Sequence, residues 1–357
     1  MYKICVSLVM KIPLKVKGRG SSDNPINRFE GHYVDYQPED RPEYKTRLFR
    51  DDTKNIISFN QSPDVPFEAG LNPYRGCEHG CVYCFARPFH EYLGFSSGLD
   101  FETKIMVKYD APELLKKIFQ SPKWKPQVIA MSGITDVYQP IERKLLITRK
   151  CLEVFAEFRA PVGIITKNYL ITRDIDYLQE LSKYNCASVY ISITTLDKDL
   201  GQKMEPRTSS PTRRLRAIEE LSKAGIPVGV NVAPIIPGIT DHEIPEILKT
   251  SKEAGAQSAG HIILRLPYKV KDLFQNWLDQ HYPDRKEKVI NRIKSMRDGN
   301  LTNSNFGERM KGKGEYYEQI NQSFAIHSRR LGLNKRSSRL TTEFFRKAHG
   351  DQLKLFD

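Results

Sequence analysis

Three cysteines fall within eight residues, in the run Cys77-Glu-His-Gly-Cys81-Val-Tyr-Cys84. Thiolates are soft ligands, and three this close together bind zinc or an iron–sulfur cluster. A structural zinc site would want a fourth Cys or His at a second short spacing, and the sequence has no second cysteine pair. His79 lies inside the loop, where completing a tetrahedron with its own neighbours is difficult. Three thiolates on a cluster of four irons would leave one iron open, which is a catalytic arrangement. Cys5, Cys151 and Cys186 are scattered, and the last two read as small buried hydrophobes. One tight cluster in a chain this long is the cysteine usage of a reducing, cytoplasmic compartment, not of a disulfide scaffold.

The elements that would position this loop follow from periodicity. The 357 residues make one large domain or two smaller ones, and 39% hydrophobic content is enough for a core. No apolar run approaches the roughly 20 residues that span a bilayer, so a membrane protein is not expected. The opening MYKICVSLVM is too short and weakly apolar for a secretory signal, and Met10 would serve as an alternative start. Residues 1–64 are polar, rich in turn formers, and read as an N-terminal arm packing over the body, with a partly disordered tail as the alternative. Residues 65–268 alternate apolar runs with amphipathic ones. The runs at 65–71, 127–132, 161–165, 188–193, 227–232 and 261–264 read as buried strands. The stretches 141–158, 171–184, 211–224 and 241–254 read as helices, with Thr240 and Asp241 expected to cap the last. Six such alternations predict an α/β fold with a parallel sheet, either a barrel or partial barrel or a doubly wound sheet. Residues 269–346 form a basic, mainly helical C-terminal extension, with helices near 273–280 and 315–330, and 347–357 a flexible tail. From 269 onward there are 19 Lys/Arg and 11 Asp/Glu, so +8 of the formal +13 lies there.

The three-then-two cysteine spacing, with an aromatic before the last Cys, resembles the radical S-adenosylmethionine (radical SAM) superfamily. NPYRGCEHGCVYCFARPFHEYLG, then SGITDVYQP, ITKN and YISITTLD, together resemble its spore photoproduct lyase-like branch, and within it a bacterial subgroup labelled DNA-repair-photolyase-like. The similarity covers roughly residues 18–335. It implies a partial (β/α)6 TIM-like barrel. It also implies a 4Fe–4S cluster on Cys77, Cys81 and Cys84, with S-adenosylmethionine on the open iron. One electron from an external donor would then cleave the sulfonium to methionine and a 5′-deoxyadenosyl radical that abstracts hydrogen from a substrate.

The same resemblance assigns the cofactor's other neighbours. Tyr83 would lie against the adenine, and Ser132 and Gly133 at the second strand's end would meet the amino group. Lys167 after the third strand and Ser192 on the fourth would bind the carboxylate, with Arg207 a further candidate or a structural ion pair. The segment 232–238 would run along the adenine, and Asp136, Tyr138, Asn231 and Arg265 would face the substrate. One departure stands out. Spore photoproduct lyase carries a hydrogen-donating cysteine in the segment matching AMSGITD, and this chain has Met131, Ser132 and Gly133 there. The resemblance therefore does not make it a true spore photoproduct lyase, and Tyr138 is the candidate hydrogen donor.

The chain ends DQLKLFD, in which Gln352, Leu353, Leu355 and Phe356 resemble the short peptide that docks on the DNA polymerase sliding clamp. Lys311, Lys313, Arg329, Arg330, Arg336 and Arg339 are candidate phosphate contacts, with Tyr316, Tyr317 and Phe324 as stacking surfaces. The leading expectation is a radical SAM enzyme, of lyase or oxidoreductase type, acting on nucleic acid in DNA repair or modification. The alternatives are the same chemistry on a protein or small molecule, or a redox-sensing DNA-binding or clamp-associated protein whose cluster is not catalytic. Release of 5′-deoxyadenosine from S-adenosylmethionine and a reductant separates enzyme from sensor.

Overall fold

The computed structural model describes residues 16–30, 44–303, 305–335 and 339–347. The alternative start Met10, Cys5, Arg336 and the tail residues Gln352, Leu353, Leu355 and Phe356 lie outside the described residues. Among the described residues the strands are β1 (Arg47–Arg50), β2 (Ile57–Phe59), β3 (Ala69–Leu71), β4 (Tyr74–Arg75), β5 (Lys104–Val107), β6 (Ile129–Met131), β7 (Val162–Thr166), β8 (Ala187–Ile193), β9 (Val228–Ile235) and β10 (Ser258–Ile263).

The main sheet runs β10-β9-β8-β7-β6-β3-β2. From β3 to β10 every neighbouring pair is parallel, and β2 closes one edge antiparallel to β3. These six parallel strands are those read from the apolar runs. In β7, β8 and β9 the buried Val and Ile side chains fall mainly at alternate positions, Val162 and Ile164, Val189 and Ile191, Val228 and Val230, so one face of the sheet is packed against the core. The order ends on β10 and β2, so the sheet is a partial, open barrel. The register aligns Ala69 with Ile129, Ile129 with Val162, Val162 with Ala187 and Val189 with Val228. Parallel strands in step end on one side, so the loops after Met131, Thr166, Ile193, Ile235 and Ile263 share one rim.

Helices depart from the periodicity where side chains intervene. The stretch 141–158 is two helices, Glu142–Leu145 and Ile147–Phe158, broken at Leu146, whose φ is 58°. The buried Glu142 carboxylate accepts hydrogen bonds from Thr148 N (3.0 Å) and Arg149 N (3.4 Å), so it caps the second helix from within the first. Thr240 and Asp241 do not cap Ile244–Glu253: Thr240 Oγ1 accepts from Ile236 N, and the Asp241 carboxylate is used by Gly238 N and the Tyr316 hydroxyl. The expected helices at 211–224, 273–280 and 315–330 are Pro211–Lys223, Val270–His281 and Glu315–Arg330.

Two features had no periodic signal. A small sheet, β1-β5-β4, stands beside the barrel, and residues 18–30 lie over the segment that follows it. The fit there is close: a Cβ on Gly20 would stand 1.7 Å from Gly80 O, so only glycine allows the two backbones to approach. The C-terminal helices also belong to the barrel. Val270, Phe274, Trp277, Leu278 and Val289 form one apolar cluster with Cys81, Val82, Tyr83, Leu264 and Leu266. The cysteine loop is therefore seated between the barrel rim and this extension.

Candidate active site

The cysteine loop follows β4, and neighbouring elements satisfy much of its backbone. Cys77 N donates to Phe101 O (2.9 Å) and Val82 N to Met204 O (3.0 Å). The Gln139 amide straddles Cys77, accepting from Glu78 N (2.9 Å) and donating to Gly76 O (3.2 Å). Arg87 is fully buried and donates to Cys81 O (2.9 Å) and Gly80 O (3.2 Å). A loop whose polar groups are met in this way holds its thiols in place without a metal.

Cys77 and Cys81 are buried, Cys84 is partly exposed, and all three are free thiols. Burial pushes the Cys77 and Cys81 thiols well above their usual range, and it raises Cys84 too. The thiols are close enough to raise one another: Cys81 and Cys84 act on Cys77, and Cys84 on Cys81. Such groups stay protonated until a bound cation ionises them. Among the described residues, no group of three or more His, Cys, Asp or Glu side chains is arranged to hold a single metal ion. A cubane cluster takes its thiolates at separate iron corners, and the donor set Cys77, Cys81 and Cys84 fits that. His79 is not a ligand candidate. Its ring is buried between Asp136 Oδ2 (3.4 Å from Nδ1) and Asn168 Nδ2 (3.1 Å from Nε2). Cys151 and Cys186 are fully buried and belong to the barrel core.

Two carboxylates, the buried Glu205 and the partly buried Asp136, organise the rim, and sequence reasoning gave Glu205 no role at all. Glu205 accepts hydrogen bonds from the Tyr83 and Thr194 hydroxyls, pairs with Arg214, and lies 3.0 Å from Lys167 Nζ. Lys167 also donates to Thr194 Oγ1 and Ala233 O, both at 2.9 Å. Burial, with Arg214 close by, pushes the Lys167 ammonium down to about 7. The Tyr83 ring centroid is 5.9 Å from that ammonium, so Tyr83 and Lys167 share one side of the rim. Asp136 accepts from Thr166 Oγ1 (2.8 Å), Lys167 N (2.8 Å) and Tyr138 N (2.9 Å). Burial works against its ionisation, but the His79 ring and these backbone N–H groups outweigh it and hold the carboxyl below its usual range. The only sequence-level trace of Glu205 is its place in the EPRTSSP loop, beside residues considered for themselves.

The remaining expected site residues divide. Ser132 ends β6 with a φ of 70°, and its hydroxyl accepts from Val137 N. Gly133 follows, with Phe67 close to where a Cβ would stand. Ser192 is buried on β8 opposite Asn231 of β9, and its carbonyl accepts from Arg214. Arg207 makes the structural pair: its Nη1 is 3.4 Å from Glu78 and its backbone N–H donates to His79 O. Tyr138 is not brought to the site. Its ring is fully buried in the barrel core beside Asp174, Arg173 and Glu142, and its hydroxyl has no hydrogen-bond partner among the described residues. The reason is that the Asp136 carboxylate binds Tyr138 N and fixes the chain where the side chain enters the core. Tyr316, Tyr317 and Phe324 are not open stacking faces either: the first two pack against the core, and Phe324 is buried against His261 at 4.2 Å. Lys311, Lys313, Arg329, Arg330 and Arg339 are exposed, with Lys313 paired to Asp298.

The comparisons with known proteins converge on this loop and barrel. Residues 71–250 match the model of the Radical SAM superfamily. An uncharacterised protein of Mycobacterium tuberculosis is 33% identical over 222 residues, which is 62% of this chain and 65% of that protein, so the match spans just under two thirds of the relative's length. An uncharacterised protein of Methanocaldococcus jannaschii is 29% identical over 248 residues, 70% of this chain and 88% of its own. Among solved structures, a variant of spore photoproduct lyase superposes with a TM-score of 0.60 at 16% identity, covering 86% of each chain. Among the described residues, no helix is long and apolar enough to cross a membrane. With a family match over half its length that includes the three free thiols at the rim of a partial parallel barrel, the chain belongs to the radical SAM superfamily, and its fold is that of spore photoproduct lyase.

Proposed function

We propose that this chain is a radical SAM enzyme whose substrate is nucleic acid. The observation that carries the substrate class is a cation–aromatic platform beside the rim. The Arg28 guanidinium lies 3.9 Å from the Tyr268 ring centroid, 5.0 Å from Phe29 and 5.8 Å from Tyr92. These rings are 53%, 58% and 68% exposed, respectively. Tyr268 lies on the loop after β10, Tyr92 lies in the segment after the cysteine loop, and Arg28 between them is held by Glu91. Open aromatic faces held by an arginine are what unpaired bases stack on. The exposed basic residues of the C-terminal extension add attraction for a polyanion.

In this reading Cys77, Cys81 and Cys84 hold the cluster, and Gln139 and Arg87 hold the loop. Once bound, the 4Fe–4S cluster and S-adenosylmethionine supply reductive cleavage of a sulfonium carbon–sulfur bond and a carbon-centred hydrogen abstractor. Lys167, oriented by Glu205, Thr194 and Ala233 O, offers a cation for the cofactor's carboxylate. Tyr83, fixed through its hydroxyl, offers an aromatic wall. The apolar cluster behind Cys81–Tyr83 keeps water from that side.

The test is anaerobic reconstitution with iron and sulfide, then assay with S-adenosylmethionine, a reductant and a panel of intact and damaged DNA. DNA-dependent release of 5′-deoxyadenosine, with a mass change in the DNA, is expected. Release that no nucleic acid stimulates or redirects would reject the substrate class.

A further inference from the structure

Three arginines meet at the end of β10. Arg265, two residues beyond the strand, donates from Nη1 to Met310 Sδ at 2.8 Å. A thioether is a weak, uncharged acceptor, so this bond brings the guanidinium no counter-ion. Arg297 is 5% exposed and donates to Leu264 O (2.8 Å), while its Nε is buried with no partner among the described residues. Arg309 completes the group. It pairs with Asp64 at 2.6 Å and reaches Ser62. Burial pushes Arg265 down to about 10, and Arg309 and Arg297 push it the same way; Asp64 alone opposes them. Asp64 thus pairs with Arg309, while Arg265 donates only to a thioether and the Arg297 Nε has no partner among the described residues. Charge is not left uncompensated in such a setting without cost.

We propose that Arg265, Arg297 and Arg309 form an oxyanion site for a phosphodiester of single-stranded nucleic acid. Guanidinium forks match phosphate oxygens in pairs, and a bound phosphate supplies the acceptors that Arg265 and Arg297 Nε lack. Placement agrees with this. Arg265 stands on the same rim as Lys167, and Tyr268 of the aromatic platform is three residues further along the same loop. Phosphate and base would then be read from one segment. The proposal rests on the nucleic-acid reading above for its ligand, though not for its anion chemistry.

Two arms test it on the whole protein. In thermal melts, inorganic phosphate is compared with sodium chloride at matched ionic strength. Phosphate should raise the wild-type melting temperature above chloride and should not do so for Arg265→Gln. An equal response in both, or none in the wild type, overturns the site. In the second arm, fluorescence anisotropy follows a labelled short oligothymidylate. Arg265→Gln should weaken binding roughly tenfold or more, as loss of charged hydrogen bonds does, while Arg216→Ala on an exposed helix face leaves it unchanged. If phosphate discriminates wild type from variant but the oligonucleotide does not, the nucleic-acid source is overturned and the oxyanion site stands. Arg265→Lys keeps the charge and loses the fork. It should lose most of the phosphate-specific shift even if Arg265→Gln fails to fold, and full retention by Arg265→Lys overturns the fork geometry.

Discussion

Arg87 and Glu102 form an ion pair at 2.6 Å in which both side chains are fully buried. Arg87 donates in addition to Cys81 O, Gly80 O, Ser97 O and Gly98 O, and Glu102 accepts from Gly20 N and Ser21 N. One pair thus joins the N-terminal arm, the cysteine loop and the helix Leu99–Thr103. Its value to the site is positional: it fixes two carbonyls of the loop that presents the thiols.

Breaking this pair from one side leaves a buried charge. Arg87→Met should destabilise the protein by about 3–5 kcal/mol, the usual penalty for orphaning a buried partner. The variant should also take up less iron on reconstitution. Differential scanning calorimetry and iron content per chain measure both. Wild-type values in both would show that the clasp does not hold the loop.

The three loop thiols and the two core thiols should separate cleanly. Cys77→Ala, Cys81→Ala and Cys84→Ala are each expected to abolish the sulfur-to-iron charge-transfer absorption of the reconstituted protein. Cys151→Ala and Cys186→Ala should keep it, with the modest stability loss that follows removal of a buried sulfur. A core variant that loses the absorption, or a loop variant that keeps it in full, would contradict the ligand assignment.

The Glu205 hub predicts different outcomes for its two ends. Glu205→Gln leaves Arg214 buried without its carboxylate and should cost about 3–5 kcal/mol in chemical denaturation. Lys167→Met removes a cation whose own pKa is already low. It should leave the cluster spectrum intact and weaken S-adenosylmethionine binding roughly tenfold or more, read by equilibrium dialysis. Unchanged cofactor affinity would remove Lys167 from the site.

Stability should fall in mild acid because of His90. Both of its ring nitrogens are buried without a hydrogen-bond partner among the described residues. Burial, the largest effect, pushes its pKa down to about 4 from 6.5. The unfolded chain therefore binds a proton below about pH 6.5 while the folded chain does not, and stability drops as pH falls from 6.5 toward 4. Two and a half pKa units correspond to about 3 kcal/mol. Urea titrations of wild type and His90→Phe across that range check the sign. A variant as acid-sensitive as wild type between pH 6.5 and 4 would place the effect elsewhere.

The sequence by itself determined the three-cysteine loop and the six parallel strands. Short-range spacing specifies a chelating loop, and runs such as 188–193 and 227–232 are apolar enough to read as buried strands. It also carried the fold family, because Cys77–Cys84 and the later segments keep one order. Tertiary structure decided the rest. β1, β4 and β5 are two to four residues long, too short for a periodic signal. Leu146 breaks a helix because Glu142 turns back to cap the second half. Tyr138, two residues from Asp136, enters the core and not the site. Glu205 becomes the hub because Tyr83 and Lys167 approach from distant parts of the chain to join Thr194 and Arg214 around it. The basic excess that sequence reading placed in the C-terminal extension proves to include Arg297 and Arg309, which fold back beside Arg265 on the barrel rim. Spacing along a chain can specify a local chelate, but the partners of a buried charge are set by which elements pack against it.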